Sequence, residues 1–288
     1  MIASVFAVVL NVILDAILIF GLLGAPKLGV KGAAIATFIA RFVECIVVIV
    51  WAHIRKEKNR YIVGAYKSIV IPKDILKNIF IKGTPLMVNE ILWAVGMAVV
   101  VQCYAVRGLE VVAALNIAST ITNLFNIVYI QLGACIAIVA GQLLGANKIE
   151  KAKDSVNKML FFCVACCVLV SIIMILLGGV FPNIYKTEVI IKKMATKFII
   201  LAAAAMPICA YSHGAYFTLR SGGKTIITFL FDSVYTWILL IPVAFVLSRY
   251  SNLNIITVFA IVQFMEIIKA TIGYFMVKSG IWINNIVQ

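Results

Sequence analysis

Eight apolar runs, each of about the 20 residues a helix needs to cross a bilayer, leave this chain few folds to choose from. They cover about Ile2–Leu23, Gly32–His53, Thr84–Val106, Val111–Leu143, Leu160–Phe181, Val189–His213, Ile226–Ser248 and Ile255–Val277. In lipid every backbone amide must find its partner within the protein, and apolar runs of this length do so as helices. The composition agrees: 64% of residues are hydrophobic and 12% charged, about half the charged share of a soluble domain. Loops between the last six runs are short, so neighbours run antiparallel. The expected fold class is all-α, a polytopic membrane helix bundle of eight transmembrane helices.

The formal net charge of +14 raises nucleic acid as a partner, but the basic residues lie in the loops between apolar runs. Fifteen lysines and arginines fall on one side, among them Arg55, Lys67, Lys77, Lys153, Arg220, Lys224 and Lys278, against eight on the other. That asymmetry predicts a multi-pass protein of the cell (plasma or inner) membrane, bound to lipid and not to nucleic acid, with both termini cytoplasmic. The basic segment Ile54–Lys82 separates a two-helix piece, residues 1–71, from a six-helix piece, residues 72–288. Within it, Pro72 to Lys82 has helical character: Pro72 suits a first helical position, and Ile75, Ile79 and Lys82 recur at turn spacing. It reads as a short helix on the inner leaflet or as a basic linker. Met1 opens almost directly into apolar sequence without a basic leader, as though the chain began partway through a longer one.

Ionisable and polar residues within the spans are the candidate functional groups, because a charge at the bilayer centre costs roughly 2.5–3.5 kcal/mol on insertion scales. Glu90 stands out, with no basic residue within two turns on its own helix, so its partner must come from another helix, water or a transported cation. Asn89, Trp93 and Gln102 share that helix. Asn116, Ser119, Thr120, Asn123 and Asn126 recur at three and four and form a polar stripe, facing either a neighbouring helix or a water-filled cavity. Asn11 and Asp15 share one face of the first helix. Arg41 with Glu44, and Glu266 with Lys269, are spaced at i, i+3 and read as structural ion pairs. Pro207 is expected to kink its helix.

Cys163-x-x-Cys166-Cys167 has a metal-like spacing, but it lies in a lipid-length run without a His or acidic partner and reads as helix packing. The chain has no phosphate-binding loop, nucleophile elbow, zinc-protease motif or calcium loop, so neither an enzyme nor a metal site is expected.

Taken in order, these residues resemble the multidrug and toxic compound extrusion (MATE) transporters. The resemblance rests on Asn11-x3-Asp15 with Pro26-x2-Gly29-Val30-x-Gly32-Ala33-Ala34, and on Gly83-x-Pro85-x3-Asn89-Glu90-x2-Trp93-x2-Gly96. Further along it rests on Gly141-x2-Leu144-Gly145-Ala146, Leu219-Arg220-x-Gly222-Gly223-x-Thr225, Asp232 and Ser279-Gly280-x-Trp282. It implies the last eight of twelve helices: a partial N-lobe and a complete six-helix C-lobe. It also implies a secondary active antiporter exporting organic cations or drugs in exchange for H+ or Na+, by alternating access and with no cofactor beyond that ion. Glu90, Asp15 and Asp232 would handle the ion, and Asn89, Trp93, Asn116, Thr120 and Asn123 would line the substrate cavity. Arg220, Gly222 and Gly223 would shape a structural loop, in which Lys224 stands where the family usually has Asp. Two other readings stay open: a truncated membrane protein without transport, or a flippase for lipid-linked oligosaccharides.

Overall fold

The computed structural model describes residues 2–64 and 72–284, and every regular element among them is helical. Lys67 and the expected boundary at residue 71 lie outside the described residues. The chain divides into two compact units, Met1–Ile75 and Leu76–Gln288. Eight helices among the described residues are long and apolar enough to span a membrane, matching the eight apolar runs.

The first unit holds α1 (Ile2–Phe20) and α2 (Val30–Ile54). They pack side by side, joined by a turn in which the Leu28 amide bonds the Leu18 carbonyl at 2.9 Å. The Arg41–Glu44 pair forms as the spacing predicts, at 2.8 Å.

The second unit is a bundle of six: α3 (Lys73–Ala105), α4 (Leu109–Gly145), α5 (Ile149–Gly178), α6 (Val189–Ser221), α7 (Thr225–Tyr250) and α8 (Ile255–Lys278). The segment expected as a separate surface helix or a linker is neither: it continues through Pro85 into the span as one helix of 33 residues. α5 begins well before its apolar run, because Lys153–Glu150 and Lys158–Asp154 pairs at 2.8 and 2.7 Å stabilise its charged first turns. α6 runs on through Pro207 and past His213 to Ser221, because Ala215, Tyr216, Thr218 and Leu219 are buried.

α6 is the bundle's axis, packed against α4, α5 and α8. Its inward residues are mostly small (Ala195, Ala203, Ala205, Ala210, Ala215), which lets backbones approach where lipid offers no hydrophobic drive to associate. Cys163 and Cys167 are buried in this core, as packing residues should be. Among the described residues no group of three or more His, Cys, Asp or Glu could hold a metal.

α7 and α8 depart from regular α geometry. α7 contains two π-helical stretches, Leu230–Val234 and Thr236–Leu240, which leave Asp232, Ser233 and Thr236 buried. α8 is interrupted at Met265, whose carbonyl accepts a 2.6 Å hydrogen bond from the Tyr235 hydroxyl. Interruptions of this kind inside helices recur at functional sites.

Candidate functional site

The irregular part of α7 faces α3, α6 and α8, and there the second unit concentrates its buried polar groups. Asp232 is 7% exposed. Its Oδ1 accepts from the Lys269 ammonium at 2.7 Å, and its Oδ2 accepts from the Asn89 amide at 3.1 Å. Lys269, 5% exposed, also lies over the rings of Phe231 and Tyr235 at 5.5 and 5.7 Å. In a low-dielectric interior both charges need this pairing.

Asn89 uses its whole side chain. Its Nδ2 also lies 3.2 Å from the Tyr216 hydroxyl oxygen, and its Oδ1 accepts from Ser233 at 2.6 Å. The Tyr216 hydroxyl in turn donates to Glu90 Oε1 at 3.4 Å, and the Arg220 guanidinium meets the same oxygen at 3.2 Å. A continuous polar chain therefore runs from a buried ion pair, Lys269–Asp232, through Asn89 and Tyr216 to a surface pair, Glu90–Arg220. The Glu90 and Arg220 side chains are 56% and 36% exposed, against 10% and 6% for Asp232 and Lys269.

Three expectations change. Asn89, expected on a cavity wall, is 1% exposed and ties three elements together. Lys269 does not pair with Glu266 one turn away but with Asp232 across the helix interface, where the Asn89 amide completes the carboxylate's bonding. Glu266 Oε2 is left buried without a hydrogen-bond partner among the described residues. Arg220, expected only as a loop residue, supplies the partner that Glu90 lacked on its own helix. Tyr216 and Ser233 were not anticipated, because a lone hydroxyl in an apolar helix carries no spacing signal.

Trp93, Asn116, Thr120 and Asn123 are exposed. The Ser119 and Thr120 hydroxyls bond back to the Asn116 carbonyl at 3.0 and 2.9 Å, so these two polar groups of the stripe are satisfied within their own helix. In the first unit, Asn11 reaches Thr37 at 3.5 Å, and Asp15 Oδ1 is buried without a hydrogen-bond partner among the described residues.

The loop after Arg220 is fixed by glycine. At Gly222 the Trp282 backbone carbonyl fills the space a Cβ would need, and Gly223 has a left-handed φ of +70°. Gly222→Ala is therefore expected to cost about 1–3 kcal/mol through overpacking that backbone alone can relieve. Gly223→Ala should cost roughly 1–2 kcal/mol of left-handed strain. Thermal unfolding in detergent checks both, and an unchanged midpoint for Gly222→Ala would refute the close contact.

Comparison with known proteins shows the family of the chain. The MatE family model matches residues 85–246, more than half of the chain. The chain is 23% identical over 254 residues to the probable multidrug resistance protein YoeA of Bacillus subtilis, covering 88% of this chain and 55% of that protein. It is 25% identical over 277 residues to the probable multidrug resistance protein NorM of Thermotoga maritima, covering 95% and 58%. It thus spans a little over half the length of these relatives. Its fold superposes on a MATE crystal structure in complex with MaL6 with a TM-score of 0.84, at 18% identity over 97% of this chain and 62% of that one. A MOP superfamily transporter from Pyrococcus furiosus gives 0.86, at 18% identity and the same coverage. With the family model matched over the very helices that carry Glu90, Arg220 and Asp232, the chain belongs to the MatE family of membrane transporters.

Proposed function

We propose that this chain works in a secondary active transporter that exports organic cations or drugs in exchange for H+ or Na+ by alternating access, as the last eight of twelve helices. The observation that carries the reading is Glu90. Its carboxylate sits in a span, roughly 9 Å in from the start of the third apolar run at 1.5 Å per residue. Among the described residues a single guanidinium contact and a hydroxyl hold it, both from α6, and its side chain stays more than half exposed. A cation that reaches Glu90 competes with Arg220 for the same oxygen. Displacing Arg220 also disturbs Tyr216, and through Asn89 the Asp232–Lys269 pair, so occupancy at the surface is felt in the interior of the bundle.

In this scheme Glu90 meets the ion or the cationic substrate. Asp15, with its unbonded carboxylate oxygen, offers a second place for H+ or Na+, and Asp232 responds to Glu90 through the polar chain. Trp93, Asn116, Thr120 and Asn123 supply the exposed aromatic and polar contacts for an amphipathic cation. The lysine distribution supports cytoplasmic termini. A flippase for phosphate-bearing lipids has less support, because Arg41 and Lys269, two of the cations within the spans, are both ion-paired.

The test is export of a fluorescent organic cation under imposed H+ or Na+ gradients, with the chain alone and with the N-terminal helices of a relative supplied in trans. Glu90→Gln should reduce gradient-driven export at least tenfold while leaving the protein in the membrane. Full export by Glu90→Gln removes Glu90 from the scheme. No export by the native sequence in either format overturns the transport reading.

A further inference from the structure

At the end of the bundle where α6 and α8 finish and α5 begins lies a cavity of about 330 Å³ that the polar chain does not use. Lys153 and Asn157 of α5 and Tyr274 and Lys278 of α8 line it, with Trp282 and Tyr211 among its apolar walls. Its position is interfacial. Lys153 and Asn157 precede the apolar part of α5, and Tyr211 lies ten residues before the end of α6, roughly 15 Å deeper along that helix. The space therefore runs from the charged rim of the membrane into its apolar layer.

Its chemistry is graded the same way. Lys278 lies over the Tyr274 ring at 5.6 Å, and Lys153 pairs with Glu150 at 2.8 Å while its side chain remains 45% exposed. Deeper in, Trp282 is 2% exposed and its indole N–H is committed to the Val277 carbonyl at 3.1 Å, so it closes the inner end as a packed floor with no free donor, and half-buried Tyr211 supplies the accessible aromatic wall. Two ammonium groups at the mouth and an aromatic interior fit a ligand with an anionic head and a hydrocarbon body. Basic pockets between spanning helices on the cytoplasmic side bind anionic lipid headgroups for this reason.

We propose that this cavity is a binding site for an anionic phospholipid, its phosphate between Lys153 and Lys278 and the start of its acyl chains against Tyr211 and Trp282. The proposal stands apart from the transport reading, but the two meet physically. Trp282 presses its backbone on Gly222, two residues from the arginine that holds Glu90. A lipid seated against Trp282 fixes the segment on which that loop rests.

The experiment measures lipid retained by the purified full chain, by native mass spectrometry from micelles doped with equal phosphatidylglycerol and phosphatidylcholine. The native sequence should retain phosphatidylglycerol preferentially. Lys153→Gln with Lys278→Gln should lower that preference about thirtyfold, the scale of two lysine charges at a membrane surface. Asn157→Trp, which fills the mouth without changing charge, should lower retention as well. Lys192→Gln with Lys193→Gln, which removes two charges from the other end of the bundle, should leave it unchanged. The proposal is overturned if the Lys153/Lys278 variant keeps the preference, or if the Lys192/Lys193 variant loses as much. It is also overturned if inorganic phosphate alone displaces the lipid, since the site would then be one for a free anion.

Discussion

Lys269→Met should cost this protein about 3–5 kcal/mol, the usual penalty for removing one partner of a buried ion pair. The loss exceeds that of the contact, because Asp232 stays behind at 7% exposure with only the Asn89 amide to bond it. Coulombic attraction also links Lys269 to Glu266, whose buried oxygen already has no hydrogen-bond partner, so that carboxylate loses its nearest compensation too. Thermal unfolding in detergent should show a large fall in midpoint for Lys269→Met. Asp232→Leu combined with Lys269→Met should recover most of it, since a buried pair replaced by apolar groups of similar volume is often neutral or stabilising. A single variant within about 1 kcal/mol of the native protein would mean that water or lipid headgroups reach the pair, and that the buried cluster is open.

The same pair shows how far spacing alone reaches. Lys269 has Glu266 one turn away on its own helix, and intrahelical spacing makes that the natural partner. The actual partner is Asp232, on another helix, and nothing in the pattern of either segment announces the meeting. Arg220 and Glu90 repeat the case: the lack of a basic neighbour on α3 leaves another helix, water or a transported cation as the partner, and spacing does not single out Arg220. The eight spans were legible because bilayer thickness sets their length independently of tertiary structure. Helix ends were legible only where hydropathy and helix coincide. They diverge at the start of α5, where ion pairs extend a helix beyond its apolar part, and at the end of α6, where burial does the same.

The loop glycines divide along the same line. Gly223 is a positive-φ position of the sort a Gly-Gly pair advertises. Gly222 is required for a different reason, the approach of the Trp282 carbonyl from the end of the chain, which only the folded bundle reveals.

Asn89→Leu should be the second severe substitution, costing about 2–5 kcal/mol if its three side-chain bonds are each worth the roughly 0.6–1.7 found between membrane helices. Leu is close in volume, so the effect reads hydrogen bonding more than packing. The change leaves Asp232 Oδ2, the Ser233 hydroxyl and the Tyr216 hydroxyl without the amide. Of these, Ser233 has an alternative in the Asn89 backbone carbonyl at 3.4 Å and Tyr216 keeps its bond to Glu90, so Asp232 Oδ2 loses most. That difference orders the outcome. Ser233→Ala removes one bond and should cost about 0.6–1.7 kcal/mol, a fraction of the Asn89→Leu effect. If Ser233→Ala unfolds the protein as readily as Asn89→Leu, the amide is not the hub and the polar chain from Lys269 to Glu90 is broken at that point. If the order holds and Asn89→Leu also weakens the export proposed for Glu90, the buried pair and the surface carboxylate are energetically one system, joined through a single amide.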